Sequence, residues 1–138
     1  EFDKIDKMDF VNSAFGEIYR FFEASVAEIS SIPNIECRLS ELRDDYFSCT
    51  IINRGMARGF ETIHVRKGGN FSAIDILFGE KNSSSTSNGG FSVSGDDYQL
   101  FLSPLMFNMY RDDKNVSPTG AAKLLWDDLL SKVGIDYA

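Results

Sequence analysis

Residues 35–53 read IECRLSELRDDYFSCTIIN, and the alternation inside them decides the fold class. Ile35, Cys37 and Leu39 fall on one side of an extended chain, with Glu36, Arg38 and Ser40 on the other. After the polar Arg43-Asp44-Asp45 run, Phe47, Cys49 and Ile51 again share one side. A period of two is the signature of half-buried strands, so this stretch predicts two antiparallel strands joined by a short loop. Turning at the Arg43-Asp44-Asp45 run sets Leu39 opposite Cys49 and Cys37 opposite Ile51 on one buried face. The two thiols then lie diagonally, roughly 7–8 Å apart, too far for a relaxed disulfide. Both are expected to be reduced.

Upstream the period changes to that of a helix. Met8, Val11, Phe15, Ile18, Phe22, Val26 and Ile29 form one stripe over roughly residues 4–31, while Asp9, Glu17, Glu23 and Glu28 stay wet. Pro33 stops it, because proline bars helical geometry in the residue before it. The stripe is expected to be core; the alternative is a solvent-facing helix that docks a partner, in which case Phe15 or Phe22 changed to Ser would spare folding and abolish association. At the other end, Ser117 is placed to cap a helix that starts at Pro118, and Gly134 to close it in a left-handed conformation. Ala121, Leu124, Leu125, Leu129 and Val133 give that helix its core stripe, widened by Ala122, Trp126 and Leu130.

Downstream of the opening hairpin, residues 60–67 and 70–79 predict a second one. Gly68-Gly69 supplies the positive dihedrals of a two-residue turn, which sets Ile63 against Ile74. Ile63, Val65, Ile74 and Ile76 then face the core, and Thr62, His64, Arg66 and Asp75 face away. Residues 79–91, GEKNSSSTSNGGF, hold ten Gly, Ser, Thr or Asn in thirteen and read as a flexible loop. Residues 91–107 supply a further extended stretch broken at Gly95-Asp96-Asp97, and Leu105–Tyr110 fits either a strand end or a helical turn. The fold class is therefore α+β: a mostly antiparallel sheet of about five strands flanked by a long N-terminal and a C-terminal helix. The 138 residues form one domain. The chain begins Glu-Phe rather than Met, which fits an excised domain of a larger protein, a processed product or a cloning remnant alike.

Function is less legible. The chain carries 14 Lys and Arg against 21 Asp and Glu, a formal charge of −7, which opposes general binding to nucleic-acid phosphates. No run of about 18 apolar residues predicts a membrane span. Two cysteines and one histidine are a poor supply for a zinc site, so no metal and no cofactor is expected. The four Asp-Asp pairs, at 44–45, 96–97, 112–113 and 127–128, read as turn or surface residues. His64 lies within diagonal reach of Asp75, yet no nucleophile motif accompanies the pair. No catalytic residue is assigned.

The exception to the acidic character is residues 54–67, RGMARGFETIHVRK, with four cations, one acid and the sole histidine. Arg54, Arg58, His64, Arg66 and Lys67 are the candidate binding residues. They span roughly 20–25 Å along a strand at 3.3 Å per residue, too far for one phosphate but within reach of an extended acidic peptide. His64 adds expected pH sensitivity, since a free imidazole titrates near pH 6.5. The leading expectation is a non-catalytic protein-interaction or regulatory module, soluble and cytoplasmic, that contacts an acidic protein partner or neighbouring domain. A homodimer is left open. One alternative is an acidic chaperone-like or inhibitor-like protein covering a basic client. Another is a metal-dependent hydrolase or nuclease using Asp75 and Glu80 with His64.

Overall fold

The computed structural model describes residues 1–68, 72–79, 89–105 and 115–136. Its elements run α1 (Lys4–Ile29), β1 (Ile35–Leu39), β2 (Tyr46–Asn53), β3 (Phe60–Lys67), β4 (Ile74–Phe78), β5 (Gly89–Gly95), β6 (Leu100–Leu105) and α2 (Pro118–Lys132). The strands form one antiparallel six-stranded sheet in sequential order, so the chain meanders from edge to edge. The α+β class holds, with six strands where about five were expected. The break at residues 95–97 is a tight turn between two paired strands: Asp96 Oδ1 accepts from the amides of Tyr98 (2.7 Å) and Gln99 (2.9 Å).

Both helices lie on the sheet face that carries Phe47, Cys49, Ile51, Ile63, Val65, Ile74 and Ile76, all of them buried. Phe47 is the hub. The rings of Phe15, Tyr19 and Phe22 on α1 approach it at 5.6, 5.1 and 5.5 Å between centroids, and Phe22 meets Trp126 of α2 edge-on at 5.4 Å. Edge-to-face aromatic pairs add roughly 0.5–1.5 kcal/mol each beyond area burial. The helix ends are satisfied locally. Asp3 and Asp6 form a reciprocal capping box at the start of α1, and the Ser117 side chain caps α2 by accepting from the Gly120 amide at 3.0 Å. Gly134 closes α2 at φ 71°, and a Cβ there would run into the Met56 side chain.

The β1–β2 register is the expected one, with Cys37 opposite Ile51 and Leu39 opposite Cys49, and both thiols are free. Burial pushes the Cys49 thiol up to about 12, helped by the nearby Cys37, and the Cys37 thiol up to about 11, helped by Glu36. The second hairpin differs from expectation. Ile63 opposes Phe78 rather than Ile74, Val65 opposes Ile76, and Lys67 opposes Ile74. Gly68 does adopt a positive φ of 71°, but its amide bonds to the Ala73 carbonyl at 2.9 Å, closing a longer connection than two residues. The Ser72 hydroxyl, whose single proton is shared between the Ile74 carbonyl (2.9 Å) and Asp75 Oδ1 (2.5 Å), makes its bonds locally, just ahead of the first residue of β4, Ile74. The slip is an even number of residues, which leaves every side chain on its expected face.

Of the expected 79–91 loop, residues 89–91 belong to β5, while 80–88 lie outside the described residues. Leu105 ends β6; the ambiguous 106–110 stretch and the Asp112-Asp113 pair are also outside them. The last departure concerns α1. Its buried residues begin at Ala14, whereas Met8 is 56% exposed and Ile5 67%. A helix of 26 residues is roughly 39 Å long at 1.5 Å per residue. Six strands about 4.8 Å apart span only about 24 Å, and strands of five to eight residues no more than about 27 Å. α1 is thus longer than the sheet in either direction, and its first turns are the part left uncovered. No described helix is long and apolar enough to cross a membrane.

Candidate functional site

The five candidate residues do not form one surface. At the start of the basic stretch, Arg54 Nη2 donates to Glu36 Oε1 at 2.8 Å, and Glu36 also holds Arg38 at 2.8 Å. The Arg54 and Arg38 bonds keep the Glu36 carboxyl below its usual range. Arg58 is exposed at φ 61°, a left-handed conformation uncommon for a residue with a Cβ. Its loop is pinned by Asn53, whose backbone amide donates to the Gly59 carbonyl (2.6 Å) and whose Nδ2 donates to the Val133 carbonyl at the end of α2 (2.9 Å).

His64 is buried, 6% exposed, on the helix-free face of β3. Its Nε2 lies 2.8 Å from the Gly79 carbonyl, which only accepts, so Nε2 carries a proton; Nδ1 lies 2.7 Å from the Tyr46 hydroxyl, from which it accepts in the neutral ring. The Tyr46 ring stacks beside it, 6.0 Å away and 20° from parallel. Both ring nitrogens are thus occupied by partners other than Asp75, which accepts from Ser72. A general base must keep one nitrogen free for the substrate's proton and the other oriented by its carboxylate. The arrangement here is structural: His64, Tyr46 and the Thr50–Thr62 hydroxyl pair (2.7 Å) tie β2, β3 and the end of β4 together. Among the described residues no three His, Cys, Asp or Glu side chains converge as metal ligands; Glu80 lies outside them.

Arg66 and Lys67 are neighbours in sequence and on opposite faces of the sheet. Arg66 faces away from the helices, opposite Tyr46 on one side and Asp75 on the other. It lines a polar hollow of about 590 Å³ with Ser40, Glu41, Arg43, Asp45 and Tyr46. Two arginines and two acids there give no net charge to select an anion.

Lys67 faces the helices, with its Nζ 5.5 Å above the Phe15 ring. It borders an open apolar groove of about 470 Å³ between the overhanging turns of α1 and the strand ends. Met8, Val11, Ala73 and Val93 line that groove, and Lys4, Lys7 and Lys67 stand around it. No carboxylate lines it among the described residues, and none of the three lysines belongs to an ion pair there. Lys4, Lys7, Met8 and Val11 follow the spacing i, i+3, i+4, i+7, one face of a helix. The sequence carried this signal as the near end of a stripe that reads as core throughout. Only the overhang turns it into surface.

No solved structure matches the chain. Two proteins of Sinorhizobium fredii (strain NBRC 101917 / NGR234) are similar to it. Uncharacterized protein y4kM is 34% identical over 101 residues, covering 70% of this chain and 86% of that protein. Uncharacterized protein y4lF is 33% identical over 133 residues, covering 94% of this chain but 41% of that protein. The family model for the Y4lF protein domain matches residues 36–131, from β1 to the last turn of α2. The chain thus belongs to the Y4lF protein domain family.

Proposed function

We infer that this domain is a non-catalytic protein-interaction module with a regulatory role, which contacts an acidic partner through its few surface cations. The observation that carries the reading is the division of labour within the basic stretch. Its one group suited to proton transfer, His64, is buried between Tyr46 and Gly79, while Lys67 opens onto an apolar groove among other lysines. A surface of this kind has cations to steer an acidic partner and apolar area to hold it. Two free cysteines and no disulfide framework suit a reducing compartment, and on this reading the domain is cytoplasmic.

The test is crosslinking and capture of partners by the tagged chain, followed by binding measurements with the purified partner. An acidic partner is expected, with affinity that falls as salt rises and drops about tenfold in the Arg58→Glu/Lys67→Glu double variant. A basic partner indifferent to those reversals would instead establish the acidic chaperone-like alternative. Hydrolytic activity lost to a chelator would establish the enzyme alternative.

A further inference from the structure

We propose that the lysine-bordered groove beneath the first turns of α1 is a docking site for a short amphipathic segment of a partner protein, apolar on one side and flanked by Asp or Glu. The inference rests on the interaction-module reading and names the site and the partner chemistry. Met8 and Val11 extend the apolar stripe of α1 past the last residue the core seals, and Val93 continues the helix-side face of β5 beyond buried Phe91. Two apolar strips therefore face a shared groove that neither fills. Its volume of about 470 Å³ is within the range of roughly 300–1,000 Å³ typical of ligand pockets. Helix-in-groove recognition uses such a surface, with apolar anchors at helical spacing entering the floor.

Charge complementarity selects the occupant. Three lysines surround the groove in a chain whose formal charge is −7, and no acid lines it among the described residues. Asp3, Asp6 and Asp9 stand on the same turns but do not line the groove, so a carboxylate entering it meets the three lysines first. Lys67 is held by Phe15, so part of the ordering cost is met before binding. A basic segment, or a bare apolar one, gains nothing from this border.

The experiment is selection of a display library of random peptides about sixteen residues long, roughly four helical turns, on the full chain. Enriched peptides are then measured against wild type, Lys4→Glu/Lys7→Glu and Met8→Asp. These side chains lie in the overhanging turns, and acids near a helix N-terminus suit its dipole, so the double variant keeps its fold; a thermal melt checks this. The expected result is enrichment of peptides with apolar residues at helical spacing and flanking acids, bound about tenfold more weakly by each variant and more weakly in high salt. Peptides that bind both variants as tightly as wild type would leave the module reading standing and overturn this site. Enriched peptides without acids would overturn the charge argument. Failure to enrich any peptide, with the chain self-associating so that Met8 is protected from oxidation, would make a second copy the occupant and overturn the proposal. Failure to enrich without self-association overturns it as well, while the module reading would still be decided by partner capture.

Discussion

The two halves of α1 carry one continuous apolar stripe and meet different fates. From Ala14 onward, Phe15, Ile18, Phe22 and Ile29 are buried in the core, with Phe15 and Phe22 against Phe47 and Phe22 also against Trp126; before it, Ile5 and Met8 stand in solvent and Val11 is half-buried. Composition leans the same way, since the aromatic cluster Phe15, Tyr19, Phe21 and Phe22 lies in the second half, but the stripe itself runs through both. Length separates them, because a helix of roughly 39 Å is longer than the sheet in either direction, about 24 Å across and at most about 27 Å along its strands. The comparison teaches that periodicity identifies the face of a helix that seeks cover, whereas the size of the opposing layer decides how much of that face obtains it. The remainder is surface by geometry, and here it borders three lysines.

The contrast can be broken at its strong end. Phe22→Ala removes a fully buried ring from between Phe47 and Trp126, and is expected to cost about 3–5 kcal/mol in urea unfolding. A loss under about 1 kcal/mol would mean that the sealed half is loosely packed. The sealed floor also has a pH signature. Cys49 ionises near 9.0 when unperturbed and near 12 in the fold, so the folded state holds a proton that the unfolded chain releases. Stability is complete below about pH 9 and falls as pH rises towards 12, by up to about 1.4 kcal/mol per pH unit. Cys49→Ala should flatten that decline in alkaline urea titrations, and an unchanged slope would locate it elsewhere.

At the open end the expected effects are smaller and local. Asp3→Ala removes the capping box with Asp6 and should cost about 1 kcal/mol of helix stability. Because residues 4–9 are exposed and only Phe10 and Val11 begin the packing against the core, the cost should appear as faster amide exchange concentrated in roughly residues 4–12, with exchange around Phe22 unaltered. Acceleration spread through the whole helix would show that the two halves unfold as one unit.

How much of this was legible in the sequence follows from the range of each signal. The faces of β1, β2, β3 and β4 were readable because a period of two is local. The β1–β2 pairing was readable too, since one short polar loop left one way to align the Cys37 and Cys49 faces. The β3–β4 offset was not: Gly68-Gly69 resembles a hairpin turn, and any even slip preserves the faces, so the local pattern fits both registers equally. Ser117 and Gly134 marked the ends of α2 because caps are set by the few residues beside them. The candidate site was legible only as a gathering of cations. Which of them stay free depends on contacts distant in sequence: Arg54 finds Glu36 eighteen residues away, and His64 finds Tyr46 at the same separation and Gly79 fifteen away. Lys4 and Lys7 lie far from the basic stretch and join Lys67 only through the tertiary fold.

The most direct test of the divided stripe is equilibrium urea unfolding of Met8→Ser beside Phe15→Ser, two changes seven residues apart on the same face. Met8→Ser should unfold within about 0.5 kcal/mol of wild type, and Phe15→Ser should lose about 3 kcal/mol or more. Equal, large losses would show that the stripe is core along its whole length and that no docking surface exists beneath the first turns of α1.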